Sequence, residues 1–168
     1  MDAVFYIAAI VAIVSTVLAI TRLNAVHALL YLIVSLLSVA VVFYVMGAPF
    51  VAALEVIVYA GAIMVLFVFV VMMLNLGKAA TEMERQWQKP GMWAGPSILA
   101  AILIGEVAYL LSNPSTLAFG AAVVEPKLVA IQLFGPYLIG VELASMLLLG
   151  ALVGAYHLGR RTQGKTEK

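Results

Sequence analysis

The chain is 168 residues long, 65% of them hydrophobic and only 10% charged, with a net charge of +1. A soluble domain carries about 25% charged residues and could not hide this much apolar surface in one core, so lipid is the solvent for most of the chain. The near-neutral charge argues against a nucleic-acid partner, and the lack of cysteine excludes disulfides, iron–sulfur clusters and thiolate metal sites.

Apolar runs cover residues 3–20, 26–46, 50–76, 92–111 and 137–158. Each has about the 20 residues needed to cross a hydrocarbon core of roughly 30 Å. Only helices satisfy their own backbone in lipid, so the expected fold is an all-α integral membrane protein with five transmembrane helices, residues 1–168 forming a single membrane domain. The first run follows Asp2, where a signal peptide would carry Lys or Arg, and reads as a retained helix.

The breaks between runs are chemically marked. Thr21-Arg22-Leu23-Asn24 is polar, and Gly47-Ala48-Pro49 is a tight turn without charge. The loop over residues 77–91 holds Lys78, Glu82, Glu84, Arg85 and Lys89. Its Thr81-Glu82-Met83-Glu84 fits a capping box, which predicts a short surface helix, and Trp87 and Trp93 flank its exit as interfacial anchors. The loop over residues 112–136 contains Asn113-Pro114 and Glu125-Pro126-Lys127, and a polar tail covers residues 159–168.

Lys and Arg divide unevenly across these connections. Arg22, Lys78, Arg85, Lys89, Arg160, Arg161, Lys165 and Lys168 fall on one side, leaving only Lys127 of the nine on the other. The positive-inside rule then predicts the N-terminus out and the C-terminus in.

Three acids fall inside the runs: Glu55, Glu106 and Glu142. A charge at mid-membrane costs about 2.5–3.5 kcal/mol on insertion scales, and none of the three has an intrahelical cation. By span position each lies roughly 7–9 Å inside the outer boundary, so the three are candidates for one polar layer. Snorkelling or a hydrogen bond to a neighbouring helix is the plain alternative, weightiest for Glu106. Glu55 is favoured as functional because Tyr59 follows at i+4, over the same helical face, and Ala60-Gly61-Ala62 forms a small-residue patch that another helix or water can approach.

The run holding Glu55 is also over-long, at about 27 residues or about 40 Å of straight helix. Tilt absorbs such an excess, and so does a π-bulge, which is easiest near glycine and often marks function. Elsewhere, Gly150-Ala151-Leu152-Val153-Gly154 is a GxxxG pattern that predicts close helix packing, within the chain or onto a partner. His27 reads as a helix-start residue at headgroup level, with a proton relay as the alternative. His157, beside Arg160 and Arg161, reads as a solvated end. Phe67, Phe69 and the Met72-Met73 pair read first as packing.

The stretch Ala53-Leu54-Glu55-Val56-Ile57-Val58-Tyr59-Ala60-Gly61-Ala62-Ile63-Met64-Val65-Leu66-Phe67-Val68-Phe69-Val70-Val71-Met72-Met73-Leu74-Asn75 closely resembles the third helix of subunit J of bacterial NADH:quinone oxidoreductase, respiratory complex I, the counterpart of mitochondrial NADH dehydrogenase subunit 6. His27-Ala28-Leu29-Leu30-Tyr31-Leu32, Glu84-Arg85-Gln86-Trp87, Phe134-Gly135-Pro136-Tyr137 and Val141-Glu142-Leu143-Ala144-Ser145-Met146-Leu147-Leu148-Leu149 extend the likeness over nearly the whole chain.

The resemblance implies a multi-pass subunit of the bacterial inner membrane with no redox centre and no cofactor of its own. FMN, iron–sulfur clusters, NADH and quinone would be bound by other subunits. Its five helices would pack between the quinone-site end of the membrane arm and the first antiporter-like subunits. The third helix would carry a π-bulge at the segment matching Tyr59–Val65. Its conversion to plain α-helix would rotate Phe67 and Phe69 and make or break a water chain beside Glu55. The expected proton path and gate is thus Glu55, Tyr59, Gly61, Val65, Phe67 and Phe69, with Glu142 secondary. Glu106 matches nothing in the family pattern and receives no role.

A structural linker of the same kind of complex, without a proton role, is one alternative. A small stand-alone ion transporter is another, opposed by the lack of an internal repeat. A relative within a hydrogenase or cation/proton antiporter assembly is a third.

The basic asymmetry makes a direct prediction. Gln86→Cys and Gln163→Cys, introduced singly, will be shielded from an impermeant thiol reagent added outside the cell, and Ala121→Cys will be labelled. The reverse labelling pattern would overturn the orientation.

Overall fold

A computed structural model describes residues 2–73, 91–113 and 122–159. These residues are helical apart from short connections, with no strand among them. They form α1 (Asp2–Thr21), α2 (Ala25–Val45), α3 (Pro49–Leu54), a π-helical segment (Glu55–Ile63), α4 (Met64–Met73), α5 (Gly91–Ser112), α6 (Pro126–Leu133) and α7 (Leu138–Gly159). Five stretches are long and apolar enough to cross a membrane: Ala3–Thr21, Ala25–Val45, Pro49–Val71, Trp93–Ser112 and Leu138–Gly159. The expected capping-box helix at Thr81, Trp87, the basic loop residues and the tail lie outside the described residues. The helices group into two compact units, residues 1–124 and 125–168.

In the first unit the chain turns where its side chains permit it. Asn24 caps α2: its Oδ1 accepts the amides of Val26 at 2.9 Å and His27 at 3.2 Å. The other end of α2 closes on Gly47, the one glycine with positive φ among the described residues, at 85°. The Gly47 amide donates to the Tyr44 carbonyl at 3.0 Å and the Ala48 amide to the Phe43 carbonyl at 2.9 Å, the double bond of a Schellman turn. Pro49 then opens α3 where its missing N–H leaves nothing unpaired. Further along the chain, the Val124 amide returns to the Gly47 carbonyl at 2.7 Å.

The central pair is α1 against α2. In lipid there is no hydrophobic force between helices, so small side chains and polar contacts hold such a pair. Here Ser35 Oγ and Thr16 Oγ1 lie 2.7 Å apart, and both also bond the Ala12 carbonyl, at 3.1 and 2.8 Å. Contacts of this kind contribute about 0.5–2 kcal/mol each. Ala8, Val41 and Val45 pack with Leu103 and Leu110 of α5 to form the core cluster.

The N-terminal ends of α2 and α5 are locked by aromatics. The Arg22 guanidinium sits 5.4 Å from the Tyr31 ring centroid, and the Trp93 and His27 rings meet edge to face at 5.5 Å. His27 is 4% exposed at the start of α2, and neither ring nitrogen has a hydrogen-bond partner among the described residues. Trp93, near the start of α5, brings its ring onto His27.

The second unit departs from expectation in one respect. Residues 126–133, read as loop, are a helix, opened by Pro126 at its first turn. Among the described residues, a Cβ built on Gly150 or Gly154 meets nothing within 4 Å, which leaves the GxxxG face open to a partner as expected.

Gly95 carries a test of the α2–α5 packing. A Cβ there would collide with the Tyr31 hydroxyl. Gly95→Ala will therefore destabilise the protein by about 1–3 kcal/mol through overpacking, read as a lower thermal unfolding midpoint in detergent. Adding Tyr31→Phe, which removes the colliding oxygen, will recover most of the loss. Additive losses in the double variant would show that the two positions do not meet.

Candidate functional site

The residues singled out in the third run converge on one backbone feature. Between α3 and α4 the hydrogen-bonding widens over Glu55–Ile63. At its exit the Met64 amide bonds back five residues to the Tyr59 carbonyl, as well as three residues back to Gly61. Such wide turns are uncommon and recur at functional sites. The segment starts four residues before the Tyr59–Val65 stretch that the resemblance marks, with Glu55 as its first residue. Its backbone stays near ordinary right-handed values at both ends, with φ −64° and ψ −39° at Leu54, and φ −66° and ψ −39° at Met64. No strained residue is needed to make the transition.

Gly61 is where the segment is most crowded. A Cβ built there lies 3.1 Å from the Val56 carbonyl oxygen, the acceptor five residues back. A side chain at this position requires that carbonyl to give way. The wide turn also changes which residues share a face. With one residue more per hydrogen-bonded turn, Tyr59 no longer stands above Glu55 as i+4 spacing in a regular α-helix would place it. Each such turn swings every later side chain by about 100°, one residue's share of an α-helical turn.

The site residues differ in surroundings. Glu55 and Gly61 are half-buried, whereas Tyr59, Val65, Phe67 and Phe69 are exposed. Met64, not singled out from the sequence, is 2% exposed and anchors the exit of the π-helical segment. Its signal was only that of one apolar residue among many. α2 packs along α3, the π-helical segment and α4, and so forms the fixed wall of the site.

Beside it, α2, α3 and α5 line an open cavity of ≈ 660 Å³, with apolar residues that include Tyr44, Ala52, Val56, Leu103 and Val107, Val56 lying in the π-helical segment. Neither Glu55 nor Glu106 is among its lining residues.

The other two acids are placed unlike one another. Glu142 stands exposed on α7 in the second unit, where Ser145 Oγ donates to its backbone carbonyl at 2.7 Å. Glu106, set lowest of the three from the sequence, is 7% exposed, more deeply buried than Glu55. The sequence could not rank them because α5 has no clear polar face. Leu103 and Leu110 turn Glu106 inward by sharing its side of the helix.

These features describe an all-helical integral membrane chain with an irregular backbone turn and an acid inside its third span. The sequence matches the NADH-ubiquinone/plastoquinone oxidoreductase chain 6 family over residues 15–158. It is 60% identical to NADH-quinone oxidoreductase subunit J of Pseudomonas aeruginosa over 162 residues, covering 96% of this chain and 98% of that one. It is 55% identical to the subunit J of Escherichia coli over 160 residues, 95% of this chain and 87% of the other. A Buchnera aphidicola subunit J is 49% identical over 95% of this chain and 98% of its own. The chain belongs to this family, that of the complex I J subunits, and is accordingly a multi-pass membrane subunit that assembles with other subunits of an oxidoreductase complex.

Proposed function

We propose that this subunit couples quinone reduction to proton translocation by gating hydration along the third span, and that the Glu55–Ile63 segment is the gate. The observation that supports the reading is the π-helical turn itself, placed within a span and beginning at an acid. NADH oxidation and quinone reduction belong to partner subunits that hold FMN, iron–sulfur clusters and quinone. This chain contributes no redox group. In this reading it sits in the bacterial inner membrane, N-terminus out, between the quinone-site end of the membrane arm and the first antiporter-like subunits.

The physical argument runs from the membrane potential to the backbone. Returning one charge down 100 mV releases about 2.3 kcal/mol, so a permanently wet path would leak what the complex pumps. A gate must therefore have a dry state and a wet state separated by only a few kcal/mol. A helix segment that exchanges wide turns for regular ones meets that requirement. Its hydrogen bonds are kept in both states, while the side chains beyond it rotate. Rotation would carry Phe67 and Phe69 across the path, moving bulky apolar rings toward or away from the water near Glu55. Tyr59 and Val65 flank the moving turn.

Two variants test this. Glu55→Gln will lower proton pumping in part, because water and acids of neighbouring subunits share the route. Unchanged pumping would remove Glu55 from the path. Gly61→Val adds a branched side chain against the Val56 carbonyl and will bias the segment away from its wide turn, by about 1–3 kcal/mol on the scale of overpacked sites. In the assembled complex, NADH oxidation by an artificial acceptor will be intact, while quinone-linked turnover and pumping both fall. Full quinone-linked pumping with Val at position 61 would exclude a gate at this segment. The structural-linker reading requires that full rate.

A further inference from the structure

Three buried polar groups lie away from the π-helical segment, one on each of three helices of the first unit. Ser15 of α1 and Ser38 of α2 are 0% exposed, and Glu106 of α5 is 7% exposed. Neither serine Oγ has a hydrogen-bond partner among the described residues, nor does either Glu106 carboxyl oxygen. Each stands on the packed side of its helix at i, i+3 or i+7 spacing from the core cluster: Ala8, Val11 and Ser15 on α1, Ser38, Val41 and Val45 on α2, and Leu103, Glu106 and Leu110 on α5. Nearby Thr16 and Ser35, by contrast, are fully paired with each other and with Ala12.

Buried hydroxyl and carboxyl groups without partners call for either water or a neutral form. No Lys, Arg, Asp or Glu occurs in residues 3–21 of α1 or in α2 to supply a counter-charge. Beyond Asp2, the first residue of α1, the titratable side chains of those two helices are Tyr6 on α1, and His27, Tyr31 and Tyr44 on α2. Of these, Tyr44 packs against the cluster itself, while His27 and Tyr31 are held at the N-terminal end by Trp93 and Arg22. Leu103 and Leu110, which flank Glu106 along α5, also line the apolar cavity between α2, α3 and α5.

We propose that Glu106 is a second proton-binding site of this subunit, neutral at rest and loaded and unloaded during turnover. On loading, an O–H bond forms on a carboxylate oxygen of Glu106 as one breaks in a hydronium ion, which is left as water. Unloading is the reverse. The site is separate from the wide turn at Glu55–Ile63, and its part in pumping rests on the coupling reading given above.

The test uses the intact complex purified from membranes, carrying E106Q or E106L. Leucine suits the apolar cluster and serves if the amide disturbs assembly. Infrared difference spectra of wild type minus variant at neutral pH will show a protonated carboxyl stretch that shifts on transfer to heavy water. Ionised carboxylate bands in its place would overturn the site. Protons pumped per electron will fall by roughly half or more in both variants. NADH oxidation by an artificial acceptor will be unchanged. Wild-type pumping in either assembled variant would overturn the role in turnover. The infrared result does not depend on the gate: if Gly61→Val pumps fully while the band is present, the gate falls and the site stands, and if the band is missing, the site falls whatever position 61 does.

Discussion

Within a bilayer every backbone N–H and C=O must find its partner inside the protein, since each unsatisfied group costs several kcal/mol. That constraint fixes the spans as helices, and it also limits how a span can be irregular. A break would expose amides to lipid. A change from four-residue to five-residue hydrogen bonds keeps them paired, as the Met64 amide does with the Tyr59 carbonyl. The Glu55–Ile63 segment is an irregularity of the permitted kind, and it rotates all that follows without opening the backbone. The proposed gate depends on this economy.

The same solvent dictates how the helices hold together. Apolar faces gain nothing by leaving lipid for one another, so specificity falls to close packing and to a few polar contacts. The Thr16–Ser35 contact and the small residues around it join α1 to α2, and Gly95 lets α5 receive the Tyr31 hydroxyl. These contacts give the wide turn a firm neighbour in α2, against which a rotation can be resolved. By contrast, Glu55 is only half-buried and Phe67 and Phe69 are exposed, so the far side of the third span is not covered by the described residues.

An acid in a span has two outlets, a polar surface or a proton. Glu55 lies at the start of a segment whose geometry admits change, while Glu106 lies within a packed seam that offers neither cation nor donor among the described residues. Two carboxyls of one type are thus set in different surroundings by what their helices pack against. In membranes such placement matters more than depth, because the dielectric changes with packing as well as with distance from the headgroups.

The number of spans, their class and most boundaries followed from the sequence, because hydrocarbon thickness and backbone pairing leave one solution for runs of about 20 apolar residues. The Gly47-Ala48-Pro49 turn was equally plain, since the Schellman closure needs a residue tolerant of positive φ and the next helix tolerates proline at its start. The excess length of the third run was visible too, though length alone leaves tilt and a wide turn equivalent. Only the tertiary structure decided the rest. It began the wide turn at Glu55, four residues ahead of Tyr59, buried His27 under Trp93, and set Glu106 deeper than Glu55. It also made residues 126–133 a helix, where two loop signals had suggested none. In a helix whose every face is apolar, periodicity carries no information about which side is packed. That choice is made by the shapes of neighbouring helices, and a single sequence does not contain their arrangement.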